Sequence, residues 1–172
     1  MKRFLTSLAL LAALSFSAFA QEDDDAKYAA DLLNKGTVAP AFTVNDLAGT
    51  AHSLADWNGK YVVLDFWATW CPDCRKDIPK MKELWQKYGS EKVVFVGLSV
   101  DTDAEALAKY VADNGVGWLQ LCELKKWKKG AETPDAYQVR WIPSIYVIGP
   151  DGKVVLATVM IDKLEKFLSE LL

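Results

Sequence analysis

WATWCPDCRKDIP, residues 67–79, places Cys71 and Cys74 two residues apart, between tryptophans and a helix pattern that carries a proline. Upstream, Tyr61-Val62-Val63-Leu64-Asp65-Phe66-Trp67 is a nearly continuous apolar run, as expected of a central strand buried on both faces. Downstream, from Pro72 to about Tyr88, the apolar residues Ile78, Met81, Trp85 and Tyr88 fall at helical spacing, with Pro79 expected to kink the helix. Cys71 therefore stands where a strand ends and a helix begins. The unpaired amides and dipole of a helix start favour an anion, and the thiolate is the form of cysteine that attacks disulfides. Cys74, about one turn later, is placed to resolve a mixed disulfide, and Pro72 suits a first turn that needs no amide donor. This spacing supports dithiol–disulfide exchange.

Other uses of the pair are weaker. A disulfide across two residues closes a tiny loop and contributes little chain-entropy stabilisation. A structural zinc site needs about four ligands, and only Cys122 and the sole histidine, His52, remain to supply them unless a metal bridges two chains. Cys122 has no partner at short spacing and reads as a small buried hydrophobe.

The first twenty residues, MKRFLTSLALLAALSFSAFA, have a basic start, an apolar run and a small-residue site at Ala18-Phe19-Ala20, the pattern of a signal peptide cleaved after Ala20. The apolar run is short for a span of ~20 residues, and no later stretch is long and apolar enough to cross a bilayer. Export to an oxidising compartment such as the periplasm is the expectation. There, proteins held by disulfides usually carry several widely spaced pairs; one close pair has another use. Loss of Lys2 and Arg3 moves the formal charge from −3 to −5, which argues against a nucleic-acid partner. The one basic cluster, Lys125-Lys126-Trp127-Lys128-Lys129, reads as a solvated helix face, and Glu22 to Asp25 as an acidic leader without chemistry.

Around the central strand and helix, Ala41 to Leu54 reads as a hairpin turning at Asn45 to Gly49, followed by a turn at Asp56 to Gly59. Strands are expected at Val93–Val100, Trp118–Leu121, Ile145–Ile148 and Val154–Met160, with helices at Asp103–Asn114 and over Ile161 to Leu171. The result is an α/β fold with a central mixed sheet between helices. The division is 1–20 signal peptide, 21–37 acidic leader and short N-terminal segment, and 38–172 a single domain.

The segment FWATWCPDCRKDIP resembles the active-site segment of the thioredoxin superfamily. The hairpin with SLADWNGKYVVLDFWATWC, and the later AYQVRWIPSIYVIGPDGKVV, resemble TlpA/ResA-type exported thiol–disulfide oxidoreductases. The resemblance implies a thioredoxin-like three-layer fold with an N-terminal β-hairpin, the Asp103–Leu121 helix and strand being the central insertion. It implies that Cys71 and Cys74 form the redox-active disulfide and that Asp65, six before Cys71, is the buried acid that moves a proton for the resolving thiol. An acid within YVVLDFW is costly to bury, which independently favours a functional role. It further implies that Pro143 is the cis-proline beside the disulfide. Ile142 would then offer its backbone to an extended substrate, and Asp77 would tune the cysteines.

Departures from the pattern are Pro72 and Asp73 between the cysteines, where the family commonly has proline second, and Trp141 and Ser144 around Ile142-Pro143, which weakens a specific role in cytochrome c maturation. Asp73 is expected to tune the redox pair, and Trp141 to widen an apolar rim made with Trp67 and Trp70, tryptophans that read equally as core because aromatic residues near a strand end usually pack. The activity implied is reduction of disulfides in exported proteins, with no cofactor and with recharging by a dithiol donor, membrane-bound in such a scheme. The rival readings are a non-catalytic binding module or metallochaperone, and a peroxiredoxin-like peroxidase, for which Thr69 is present but an upstream proline is missing.

Overall fold

The structure, a computed structural model, describes residues 24–171, so the signal-peptide reading of residues 1–20 lies outside the described residues. The elements run α1 (Asp24–Tyr28), β1 (Thr43–Asn45), β2 (Ala51–Ser53), a 3₁₀ turn (Leu54–Trp57), β3 (Tyr61–Trp67), α2 (Pro72–Tyr88), β4 (Val93–Ser99), α3 (Ala104–Asp113), β5 (Leu119–Cys122), α4 (Glu132–Ala136), β6 (Ser144–Ile148), β7 (Val154–Thr158) and α5 (Ile161–Leu171). Strand β3 and helix α2 have the bounds expected from the sequence, and α2 continues through Pro79. The Asp56 turn is the end of the 3₁₀ segment, closed by Ser53 and Asp56 bonding one another.

Five strands form one sheet in the order β5-β4-β3-β6-β7, and β1 and β2 form a separate antiparallel hairpin. β3, β4 and β5 pair in parallel, while β6 pairs antiparallel with both β3 and β7. β3 thus lies at the centre, and from Val62 to Trp67 every residue is buried, as its unbroken apolar run requires. Side chains alternate across the sheet. Phe66 faces Tyr137 just after α4 and Tyr146 of β6, with ring centroids 5.4 and 6.0 Å away. Trp67 points to the other face, where its ring lies 5.8 Å from Tyr110 of α3. Asp65 shares that second face. Helix α2 lies there too, tied to α5 by Lys80 and Glu165 at 2.7 Å. These layers are the three-layer arrangement implied above, with α3 and β5 as the insertion.

Two expectations are corrected, and the open reading of Trp67 is decided. Lys125 to Lys129 are not on a helix but in a turn-rich loop between β5 and α4. Trp67 is only 2% exposed and donates its indole N–H to Gln120 at 2.9 Å, so it belongs to the core and not to a substrate rim. Finally, the acidic leader takes part in the fold from Asp24 onward. The Asp25 carboxylate accepts hydrogen bonds from Thr158 Oγ1, the Val159 amide and Lys163 Nζ, pinning α1 to the end of β7 and the start of α5.

Candidate active site

β3 ends at Trp67, a three-residue link follows, and Cys71 becomes the N-cap of α2 in extended backbone with Pro72 at the first helical position. The Cys74 amide donates to Cys71 Sγ at 3.1 Å, one of the donors that a helix start leaves unpaired. The two cysteines form a disulfide, with Cα atoms 5.3 Å apart. The Ile142–Pro143 peptide is cis, and the Ile142 carbonyl oxygen lies 3.6 Å from Cys71 Sγ. Residues separated by 71 positions in sequence therefore meet at one sulfur. Cys71, Cys74, Ile142 and Pro143 are all buried, whereas Trp70 is 55% and Trp141 39% exposed. Those two tryptophans are exposed near the disulfide, and Trp67 is not.

Asp65 sits on β3 between Gly97 of β4 and Ile145 of β6, beneath the start of α2. No group among the described residues hydrogen-bonds its carboxyl, and burial, with Asp77 adding repulsion, raises its pKa to about 7. Asp77 is half-buried on the second turn of α2. Its own pKa is raised to about 6 by burial first and then by Asp162 and Asp73, against Lys76. Both acids are therefore held above the ordinary carboxylate range, and the charge of Asp77 adds to the burial cost at Asp65. Near pH 7 the site holds one carboxyl that exchanges its proton readily, which is what a relay needs.

Asp73 is exposed, and its carboxylate is bound by Lys76 at 2.8 Å, so its charge reaches Cys71 partly neutralised. Beside Pro143, an open cleft of about 380 Å³ is lined by Asp73, Asp77, Asp162, Trp141 and residues of α1. There Tyr28 stacks on Trp141 with centroids 4.3 Å apart.

Two residues that the sequence did not single out complete the surroundings. Asp101, just past β4 and only 5% exposed, accepts from the Thr69 amide at 3.0 Å, the Thr69 hydroxyl at 2.7 Å and the Ser99 hydroxyl at 2.7 Å. It fastens the link that delivers Cys71. Its backbone carbonyl also accepts the Cys122 thiol at 3.0 Å, which places Cys122 in the core with a raised pKa caused mainly by burial. Trp127 lies 6.3 Å from Trp70, ring centre to ring centre, and donates its indole N–H to Val139 O. An acid ending the apolar run VVFVGLSVD and a tryptophan inside the lysine run were the available signals. His52, the other candidate ligand, bonds Asp46 at 3.1 Å on the hairpin, and among the described residues no three His, Cys, Asp or Glu side chains are grouped to hold a metal ion.

The sequence matches the AhpC/TSA family over residues 35–157. The thiol-disulfide oxidoreductase ResA of Bacillus thuringiensis is 37% identical over 120 residues, which are 70% of this chain and 66% of that protein. The ResA of Geobacillus thermodenitrificans is 30% identical over 152 residues, 88% of this chain and 82% of its own. A solved thiol-disulfide oxidoreductase from Bacteroides fragilis superposes with a TM-score of 0.73 at 26% identity, covering 79% of this chain and 100% of the other. The chain spans 66%, just under two thirds, of the length of the first of these relatives. Sequence match, sheet order and the cysteine pair at the N-cap of α2 agree: the chain belongs to the AhpC/TSA family and is a ResA-like member of the thioredoxin superfamily.

Proposed function

We propose that the protein is a thiol–disulfide oxidoreductase that reduces disulfides of exported proteins, working in the periplasm after loss of residues 1–20. The observation that carries this reading is the placement of Cys71 Sγ, which takes the Cys74 amide at the start of α2 while facing the carbonyl before a cis-proline. In the reduced protein the Cys71 thiolate attacks one sulfur of a substrate disulfide, forming a mixed disulfide and releasing the other sulfur as a thiolate. Asp65 takes the proton of Cys74, whose thiolate then attacks Cys71 Sγ. The Cys71–Cys74 bond forms as the substrate bond breaks, and the substrate leaves as a dithiol. Two electrons pass to the substrate, so a dithiol donor, membrane-bound in this scheme, must restore the protein; no cofactor takes part. Trp70 and Trp141 flank the sulfur and Ile142 offers backbone groups to an extended chain. The peroxidase reading is less well supported, because the Thr69 hydroxyl is held by Asp101 and the neighbouring Cys74 suits exchange.

Selective alkylation tests the assignment of the nucleophile. Accessible area does not separate the three cysteines, which are 4%, 3% and 7% exposed for Cys71, Cys74 and Cys122. Thiolate population does, since Cys71 has the helix start while burial raises the Cys122 pKa. Limiting iodoacetamide at pH 7 is expected to label Cys71 of the reduced, folded protein first and Cys122 only after unfolding. First labelling at Cys74 or Cys122, read by peptide mass spectrometry, overturns the assignment.

The direction of transfer rests on Asp73. A carboxylate beside a thiolate disfavours the reduced form and makes the protein a stronger reductant. One pKa unit is about 1.4 kcal/mol, or about 30 mV for a two-electron couple. With Lys76 offsetting part of the charge, Asp73→His is expected to raise the reduction potential by about 10–30 mV against a glutathione buffer. A potential that is unchanged or more negative removes the local support for a reductant.

A further inference from the structure

The basic run Lys125 to Lys129 is not absorbed by the exchange chemistry, and its place in the fold gives it a use. It lies in the loop between β5 and α4, and that loop reaches the cysteine pair: Trp127 packs 6.3 Å from Trp70, the residue immediately before Cys71. Lys128 extends its ammonium over the Trp127 ring, 4.2 Å from the centroid. The nearby acids are already engaged. Glu123 spends its carboxylate on the Glu132 and Thr133 amides at 2.7 and 2.6 Å, and Glu132 pairs with Lys125 at 2.7 Å. Lys126, Lys128 and Lys129 are exposed and have no carboxylate partner among the described residues. Leu124, 47% exposed, adds apolar surface to the same loop.

The other side of the cysteine pair has the opposite sign. The cleft beside Pro143 is lined by Asp24, Asp73, Asp77 and Asp162 with Lys76 as its one basic residue. The chain as a whole is also acidic, at −3, so the loop is a local positive patch on a negative protein. A polypeptide lying across Cys71 meets lysines and the exposed Trp70 at one end and carboxylates with Trp141 at the other. Complementary charge of this kind steers encounter and fixes orientation more than it raises affinity.

We propose that the loop from Leu124 to Gly130, together with Trp70, docks an acidic segment of the disulfide-bearing polypeptide, which selects substrates with acidic residues near the disulfide and sets the direction in which they lie across Cys71. This rests on the exchange activity proposed above. Docking of the acidic segment precedes and accompanies attack by Cys71, so it acts on KM and leaves the chemical step at saturating substrate alone.

The test uses two pairs of synthetic peptides built on one sequence with an internal disulfide; the members of a pair carry three glutamates or three lysines, on the N-terminal side of the disulfide in one pair and on the C-terminal side in the other. With the reduced protein at about 10 mM salt, the glutamate-flanked peptide is expected to show a kcat/KM about tenfold above the lysine-flanked one. The difference should lie in KM and hold for one side of the disulfide only. Because the Debye length shrinks from about 30 Å at 0.01 M salt to about 3 Å at 1 M, the preference should fade at high salt. The K126Q/K128Q/K129Q variant should lose the preference and K126E/K128E/K129E should reverse it. Equal rates within both pairs at low salt, or a preference that survives the glutamate variant, overturns the proposal. So does charge-dependent binding of the loop to vesicles containing anionic lipid without any peptide preference, which would make the patch a membrane contact. A small uncharged aromatic disulfide, assayed with the unaltered protein, separates the two readings: failure to reduce it defeats the exchange activity itself, whereas reduction of it with no charge preference among the peptides defeats only the docking surface.

Discussion

Asp65→Asn is expected to stabilise the oxidised protein by about 2–3 kcal/mol at pH 8 while slowing disulfide exchange at least tenfold. The stability effect follows from the raised pKa. An unfolded aspartate titrates near 3.8 and the native Asp65 near 7, chiefly because burial strips water from the carboxylate. At pH 8 both states are ionised, and the native state bears the full cost of a buried charge. Between pH 7 and 4 the native state binds the proton that the unfolded state has released, so stability rises as pH falls; below 3.8 both are protonated and the cost is gone. The gap corresponds to about 4 kcal/mol, of which an asparagine amide without a partner returns roughly 1–2 kcal/mol as its own burial cost. The gain should therefore be large at pH 8 and give way to a loss of about 1 kcal/mol at pH 4, where the acid is neutral and only the amide's burial cost remains. Asp77, which titrates near 6, remains in both proteins and cancels to first order in the comparison. Urea unfolding of the two oxidised proteins at both pH values measures it. An equal difference at the two pH values would mean that Asp65 is not the titrating group. Exchange slows because asparagine keeps the shape of the site but cannot take the proton of Cys74. Both outcomes together, a gain in stability and a loss of rate, would mark Asp65 as a residue kept for chemistry.

What the sequence revealed, and what it withheld, divides along the range of the interactions. β3 and α2 were legible because their signals are local: an unbroken apolar run, then a proline and a helical period beginning at Cys71. The hairpin was legible through its alternation around Asn45 to Gly49, a turn that the Asp46 carboxylate holds by taking the Ala48 and Thr50 amides and that Gly49 completes with a φ of +87°. Helix α4 was not, since five residues carrying Pro134 show no period, and its N-terminus is capped by Glu123 from beyond β5. Trp67 and Trp70 look alike in sequence. Only the strand's alternation, with α3 covering the face that holds Trp67, sends one inward and leaves the other in water. Asp101 was invisible for a related reason. Its partner Thr69 lies 32 positions away, and the two meet because β3 and β4 pair in parallel with Trp67 opposite Ser99. Around Cys71 Sγ the cysteine pair and the helix start were local, while the carbonyl of Ile142 reached it only through sheet order.

Cys74→Ala is expected to turn the protein into a trap. The Cys74 amide that donates to Cys71 Sγ belongs to the backbone, so it survives the substitution and Cys71 keeps the helix start that favours its thiolate. Attack on a substrate disulfide therefore proceeds. The mixed disulfide, however, has lost the thiol three residues away that would attack Cys71 Sγ. Cys122 cannot replace it, being buried on β5 with its thiol bonded to the Asp101 carbonyl. Adducts should then persist until an external thiol clears them, whereas Cys71→Ala leaves no sulfur at the N-cap and should form none. Incubating each variant with an excess of a disulfide-bonded polypeptide and resolving the products on non-reducing gels gives the comparison. Cys74→Ala is expected to hold at least about tenfold more covalent adduct than either the unaltered protein or Cys71→Ala, since exchange continues but resolution does not. The yield should be the same in Cys74→Ala combined with Cys122→Ala, which excludes the third cysteine as the attachment point. Equal and low yields from Cys74→Ala and Cys71→Ala would defeat the exchange mechanism, and adducts that vanish with Cys122 would move the nucleophile to the edge strand β5.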